Sequence, residues 1–366
     1  MKYIEKLSRL RMIRTRNIGP VTFSILINRY GSAEEAIDAI PELTKRSGIP
    51  TKIVSKDDAE REMANADKMN ARIIVKGEEL YPKELLNFDD APGCLTMLGH
   101  PFLSQQDCIA VVGSRNASAN AMTFAENISR ELTKHKINVI SGLARGIDAA
   151  AHRGALEGGT IAVTAGGIDH IYPKENTKLF HAIAEQGLII TEMPFGMTPT
   201  ARLFPIRNRL IASISLGTLV VEASLKSGSL ITAKDAAERG LEVMAIPGTP
   251  MNPRSTGCNS LISDGAKLVQ NTNDILDLIR TPELSSLQAK PPQSPVSNLK
   301  GVRAEDVVKA HKLISPLLTF EPTEVDELIR QCHLSASVVN VALLEMELAG
   351  DVVRVYGNRV SRRYNP

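Results

Sequence analysis

The chain of 366 residues contains no tryptophan, only 8 phenylalanines and 6 tyrosines, and just 4 cysteines. So few aromatics leave little for extended stacking on bases. Cys94, Cys108, Cys258 and Cys332 are scattered without a Cys-x-x-Cys pair. This spacing speaks against a disulfide framework or a structural zinc site and fits reduced thiols in the cytoplasm. No apolar run approaches the length of a membrane span, and Met1-Lys2-Tyr3-Ile4-Glu5-Lys6-Leu7 lacks the apolar core of a secretory signal. Net charge is scarce as well: 43 Lys plus Arg stand against 41 Asp plus Glu. A site for a polyanion must therefore be a focused patch. No catalytic triad, paired carboxylates or metal-ligand cluster is visible, so no catalytic residue, metal or cofactor is expected.

One focused patch is present. Residues 193–221 hold no Asp or Glu, and at their centre stands Arg202-Leu203-Phe204-Pro205-Ile206-Arg207-Asn208-Arg209. Guanidinium groups offer planar, multi-donor contacts to phosphate, and Phe204 is placed to lie against a base. The segment reads as a loop. Arg-rich turns also serve salt bridges within a fold, so its setting decides.

The setting is α/β. Apolar runs at Ile109–Val112, Asn138–Ser141, Thr160–Thr164, Leu188–Thr191, Thr218–Val221 and Glu242–Ile246 read as buried strands, with helical patterns between most of them. That alternation implies an extended Rossmann-like, mostly parallel sheet over residues 76–284. Before it, residues 1–75 read as a helical domain. There Ile18-Gly19-Pro20-Val21 has the character of a SAM/helix-hairpin-helix-like turn whose amides can touch phosphate. After it, residues 285–300 form a polar, proline-rich linker expected to separate two independently folded units. Residues 301–366 then show three helices and a hairpin, a winged-helix pattern.

Several strands run into glycine, where ligands of such sheets bind and helix N-termini favour anions. Gly113-Ser114-Arg115 lacks the later glycines of a dinucleotide fingerprint but suits a single phosphate. In Gly142-Leu143-Ala144-Arg145-Gly146-Ile147-Asp148, Asp148 reads as a helix cap, and His152 as structural or groove-lining. Lys174 follows the Gly166-Gly167 pair at the same rim. Ser227-Gly228-Ser229 again suits an anion but is no P-loop. Glu222 reads as an ordering residue for nearby arginines, with catalysis as the other reading.

In combination these segments resemble the DprA/Smf family, the DNA-processing proteins of natural transformation. The resemblance is carried in order by Tyr81-Pro82-Lys83-Glu84-Leu85, Val112-Gly113-Ser114-Arg115, Ser141 to Ala149, Tyr172-Pro173, Phe204 to Arg209 and Ser227 to Ala233. It implies a homodimeric protein that binds single-stranded DNA, protects it and helps load RecA recombinase. Carried over by position, it assigns DNA binding to Gly113, Ser114, Arg115, Lys174, Arg202, Phe204, Arg207, Asn208 and Arg209, with Gly228 and Ser229 at the border. The alternative is a nucleotide hydrolase of the lysine-decarboxylase-like, phosphoribohydrolase group. That group resembles Gly217-Thr218-Leu219-Val220-Val221-Glu222, but its preceding Pro-Gly-Gly is replaced here by Ser213-Ile214-Ser215-Leu216. In the C-terminal segment, the helix at the recognition position carries Glu345 and Glu347 and no Lys or Arg, which argues against sequence-specific duplex reading.

Overall fold

The computed structural model describes residues 1–45, 51–280, 302–355 and 358–363. The linker expected at 285–300 lies outside the described residues. The chain divides into two compact units. One comprises the described residues of Glu62–Phe88 and Leu95–Lys290, the other those of Met1–Arg61, Asp89–Cys94 and Pro291–Pro366.

The first unit is built on a nine-stranded, mostly parallel sheet. Its strands are β1 (Ala71–Val75), β2 (Cys94–Gly99), β3 (Cys108–Val112), β4 (Asn138–Ser141), β5 (Thr160–Val163), β6 (Leu188–Thr191), β7 (Gly217–Val220), β8 (Glu242–Ala245) and β9 (Lys267–Leu268). Their order is β1-β2-β6-β5-β4-β3-β7-β8-β9. From β6 to β9 the pairing is parallel, and β2 runs antiparallel to β6. Every residue of β3 to β7 is buried, as an internal parallel sheet requires. Ile109, Val111 and Val139 pack on α5 (Ala119–Lys134) and α6 (Ile147–Ala155). Ala110 and Ile140 lie between them in register and are equally buried, so the second face is covered too, and α8 (Leu203–Ile214) crosses β3, β4 and β5. After β3 the chain steps outward through β4, β5 and β6, then returns to place β7 on the other side of β3. This reversal opens a crevice beyond the strands' C-terminal ends.

The second unit joins both ends of the chain in one core. Helices α1 (Tyr3–Arg14), α2 (Pro20–Tyr30) and α3 (Ala33–Lys45) come from the N-terminal segment. The C-terminal segment adds α12 (Ala304–Ile314), α13 (Val325–Cys332) and α14 (Ala336–Ala349), with strands β10 (Thr323–Glu324), β11 (Val352–Val355) and β12 (Arg359–Arg362) in the order β10-β12-β11. Phe23, Leu26 and Ile40 share a core with Val339, Leu343, Leu344 and Val360. The reason is the composition of α14. Val338, Val339, Val341, Leu343, Leu344, Met346 and Leu348 leave it apolar all round, and such a helix is stable only with cover on every side. The expectation of an independently folded winged helix thus gives way to a shared core.

Polar ties join the same elements. Glu347 accepts from Thr22 Oγ1 and, at 3.2 Å, from Arg354 Nε. Thr22 lies in the first turn of α2, so the chain's own carboxylate stands where the Gly19-Pro20 turn was expected to meet phosphate. Asn17 Nδ2 donates to the Leu348 carbonyl at 3.3 Å, and Arg363 Nη1 donates to Asn17 Oδ1 at 2.6 Å. Arg354, on β11, is spent on Glu347.

Candidate nucleic-acid interface

A cavity of about 220 Å³ lies at the C-terminal edge of the sheet unit. Arg115 reaches it from the turn after β3. Gly142, Ala144 and Arg145 line it from the turn after β4, and Thr164, Ala165 and Gly166 from the turn after β5. Phe204 and Arg207 enter from α8, and His170, Tyr172, Pro173 and Glu175 complete the wall.

Arg207 is set deep in this wall. The sequence reading made it part of a loop, but Leu203 begins α8, which turns Arg207 inward and leaves it 5% exposed. Its guanidinium lies against the bare Cα of Gly142, where a methyl group would overlap Nη1. Nη1 donates to the Val163 carbonyl at 3.3 Å, while Nε finds no partner among the described residues. Burial pulls the Arg207 pKa down to about 10, and Asp148 opposes the fall. The group therefore stays charged at neutral pH.

Asp148 does not cap the helix. Gly146 holds that position with φ +75°, and the Asp148 carboxylate accepts from the backbone N–H of Gly142 at 3.1 Å and of Ala144 at 3.3 Å. It thus fastens the turn after β4 and lends negative charge to Arg207. Burial raises its pKa, offset by Arg207 and the two N–H donors. The same turn holds Leu143 at φ +56°, an unfavourable region for a branched side chain. Asn176 pins it there, donating to the carbonyls of Leu143 at 2.9 Å and Ala144 at 3.1 Å.

The mouth of the cavity is charged and aromatic. The Arg115 guanidinium lies over the Phe204 ring at 5.2 Å, and that of Arg207 lies over the same ring at 5.6 Å. Tyr172 meets Phe204 edge-on at 5.6 Å. Arg145 stands 3.6 Å from Glu175, and both are more than half exposed. The buried guanidinium of Arg207 and the exposed one of Arg115 beside an open mouth can receive an anion, and the surrounding rings favour a ligand that also has a flat face.

Of the residues expected to bind DNA, Arg115, Phe204 and Arg207 meet at this cavity. Others do not line it. Gly113 is closely packed against Ile147 and the Glu222 carbonyl. Ser114 is tied by its N–H to Glu222 O at 2.7 Å, and its hydroxyl accepts from Asn116 N at 3.2 Å. Asn208 is buried, and Arg209 pairs with partly buried Glu192, the acid that bounds the acid-free stretch. Lys174 and Arg202 are exposed outside the cavity lining, and it is Glu175, next to Lys174, that faces the mouth. Gly228 has open space around it, and Ser229 Oγ bonds to Ser227 Oγ at 2.8 Å, at the start of α9 (Ser229–Glu238). Arg145, His170, Tyr172 and Glu175 were missed. Arg145 and Tyr172 stand in the quoted motifs, and their position beside glycine turns was the available signal.

Two further residues are structural. Both oxygens of Glu222 are engaged by Ser118, from N at 3.0 Å and Oγ at 2.7 Å, at the cap of α5. His152 is fully buried with Nδ1 2.7 Å from Thr160 Oγ1. Among the described residues no group of three or more His, Cys, Asp or Glu is placed to hold a metal, and all four cysteines are free and buried. No single described helix is long and apolar enough to cross a membrane.

Comparison with known proteins places the whole chain. The family model of DNA recombination-mediator protein A matches residues 72–280. A DprA-like N-terminal HHH domain matches residues 4–65, and a DprA winged helix domain residues 302–358. Protein Smf of Synechocystis is 32% identical, covering 96% of this chain and 97% of that protein. The X-ray structure of DNA processing protein A from Streptococcus pneumoniae superposes with a TM-score of 0.61 at 33% identity, covering 74% of this chain and 95% of the other. DNA processing protein A from Helicobacter pylori, whose structure was described for its single-stranded DNA binding mode, gives 0.53 at 27% identity, covering 58% and 96%.

Proposed function

The chain belongs to the DNA recombination-mediator protein A family, DprA/Smf, and from that membership we propose that it binds single-stranded DNA through the cavity at the sheet's C-terminal edge. The observation that carries this reading is the convergence of Arg115 and Arg207 on Phe204. These two cations come from positions far apart in sequence and are held beside an aromatic wall, with Asp148 fastened to backbone N–H groups and Glu175 facing Arg145. The Helicobacter pylori relative, described with single-stranded DNA, supports the choice of ligand. A duplex keeps its bases stacked inside, whereas a single strand presents phosphate and base together to such a mouth.

The reading extends to a role in recombination, in which the bound strand is protected and passed to a RecA recombinase by a homodimer. Family membership supports this extension. Binding proceeds without chemistry on the strand. The engagement of Glu222 with Ser118 supports that part against the hydrolase alternative, because its carboxylate serves a helix cap. The DNA-binding set retained for the proposal is Arg115, Arg145, Phe204 and Arg207, with Lys174 and Arg202 as outer phosphate contacts.

A gel-shift comparison of single-stranded and duplex DNA of equal length tests the proposal. With about four to six phosphates neutralised, the logarithm of single-strand affinity should fall against the logarithm of salt with a slope of roughly −3 to −4. Equal affinity for duplex, or a flat salt dependence, would sink it. AMP incubated with the same preparation should remain intact. RecA filament formation on coated single strands should be faster with the protein than without it, and the native mass should be twice that of the chain.

A further inference from the structure

The acid-free segment suggested Phe204 as the ring that meets a base. The structure gives that ring other neighbours. Two guanidinium groups lie over it, and Tyr172 approaches edge-on. Phe204 is only partly exposed and serves to hold Arg115 and Arg207 beside the mouth. Tyr172 is differently placed. It is 48% exposed, and its hydroxyl makes no hydrogen bond among the described residues. Nearly half of Tyr172 is therefore open to solvent at the cavity mouth, where the exposed Arg145 and Glu175 also stand.

We propose that Tyr172 is the stacking platform for one base of the bound strand, while Phe204 positions the arginines that hold its phosphates. This deepens the single-strand reading above and rests on it. The physical case is that an exposed aromatic ring beside cations offers a base favourable stacking without displacing any existing contact. Stacking on Phe204 would first have to move a guanidinium from its ring. The tyrosine hydroxyl is not needed for this role, and every base has a face to stack, so the contact carries little sequence preference.

The test compares an oligo-dT strand with an abasic strand of equal length, which keeps the phosphates and lacks the bases. Wild type, Tyr172→Ala and Tyr172→Phe are titrated against both. Tyr172→Ala should lose about tenfold on oligo-dT and less than twofold on the abasic strand, and Tyr172→Phe should match wild type on both. Equal losses of Tyr172→Ala on the two strands would show that Tyr172 supports the arginines, and no loss on either would show that it contacts nothing. Both results overturn the proposal while leaving single-strand binding intact. Failure of the wild type to bind either strand would instead remove the single-strand reading, and this proposal with it. A second readout uses the absence of tryptophan from the chain. In Tyr172→Trp the sole indole should be quenched by oligo-dT and not by the abasic strand. Quenching by neither, with binding retained, again overturns the proposal.

Discussion

Arg115 and Arg207 face the same ring but differ in what surrounds them. Arg115 is exposed, so its loss removes the proposed ligand contact and little else. Arg115→Ala should weaken single-strand binding about tenfold and leave the melting temperature within a degree or two, because a charge-assisted contact is worth about 1.5–3 kcal/mol. Arg207 is buried beside Asp148, and its loss deprives that carboxylate of its main countercharge. Arg207→Ala should weaken binding at least as much and also destabilise the fold by about 3 kcal/mol. Gly142→Ala should repeat the Arg207 phenotype, since the new methyl overlaps the guanidinium. Melting and binding measured on the same preparations separate these cases, and an Arg207→Ala protein as stable as wild type would contradict the burial. His152 makes a pH statement of the same kind. Burial pulls its pKa from 6.5 to about 3, so it is neutral in the fold while the unfolded chain takes up a proton below 6.5. Stability is thus fully present above pH 6.5 and declines as pH falls through that value toward 3, by about 2 kcal/mol at pH 5. The imidazole resonance of His152 should stay neutral down to pH 5 in the folded protein, and His152→Gln should flatten the stability profile between pH 7 and pH 5.

Buried parallel strands announce themselves, because every residue must be apolar or small. Asn138–Ser141 and Leu188–Thr191 coincide with the runs read from the sequence, β3, β5 and β8 differ from theirs by one residue at an end, and β7 is shifted by one residue at both ends. The edge elements do not announce themselves. β1 and the two-residue β9 and β10 depend on partners that a local pattern does not show. Within the site, the composition of residues 202–209 was legible but its direction was not. Once the segment is α8, successive side chains turn by about 100°, so Arg207 faces the cavity while Arg209 meets Glu192. Glu192 lies outside the acid-free window in sequence and inside its neighbourhood in space. Arg145 was readable as a motif residue, but only the turn after β4 shows that it reaches the same mouth as Arg115. That turn is fastened on its carbonyl side by the side chain of Asn176, and the Ala144 carbonyl also accepts from Ala149 N. Asn176→Ala removes two hydrogen bonds and should cost about 1–3 kcal/mol of stability. Because Leu143 is held at positive φ, the turn should relax and single-strand affinity should fall several-fold even at temperatures where the protein is folded. Unchanged affinity alongside a lowered melting temperature would mean that the turn keeps its shape without Asn176.

At the scale of the molecule, the two ends of the chain complete one core. Cover for α14 comes from α2 and α3, and the polar ties from Thr22 to Glu347 and from Asn17 to Arg363 reinforce the same joint. No local property of the sequence records this pairing. The excess apolarity of residues 338–348 was visible, but its partner lies some 300 positions earlier. The consequence concerns how the protein comes apart. The polar, proline-rich composition of residues 285–300 predicts cleavage there in limited proteolysis. An independently folded winged helix would then leave as a separate small fragment. A shared core predicts instead that the nicked chain stays in one piece under native conditions, because separation would expose Phe23, Leu26, Val339, Leu343 and Leu344 together to water. Each large apolar side chain so exposed costs about 1.5–3 kcal/mol, in sum comparable to the whole stability of a domain. Gel filtration of the nicked protein should therefore give a single peak that contains both fragments, and denaturing electrophoresis of that peak should resolve two bands. A chain ending at residue 284 should expose the same apolar face, bind a hydrophobic dye such as ANS, and lose cooperative melting of its N-terminal helices while the sheet unit still melts as a unit. Native release of the C-terminal fragment, or a truncated chain with no dye binding, would show that α14 finds its cover elsewhere.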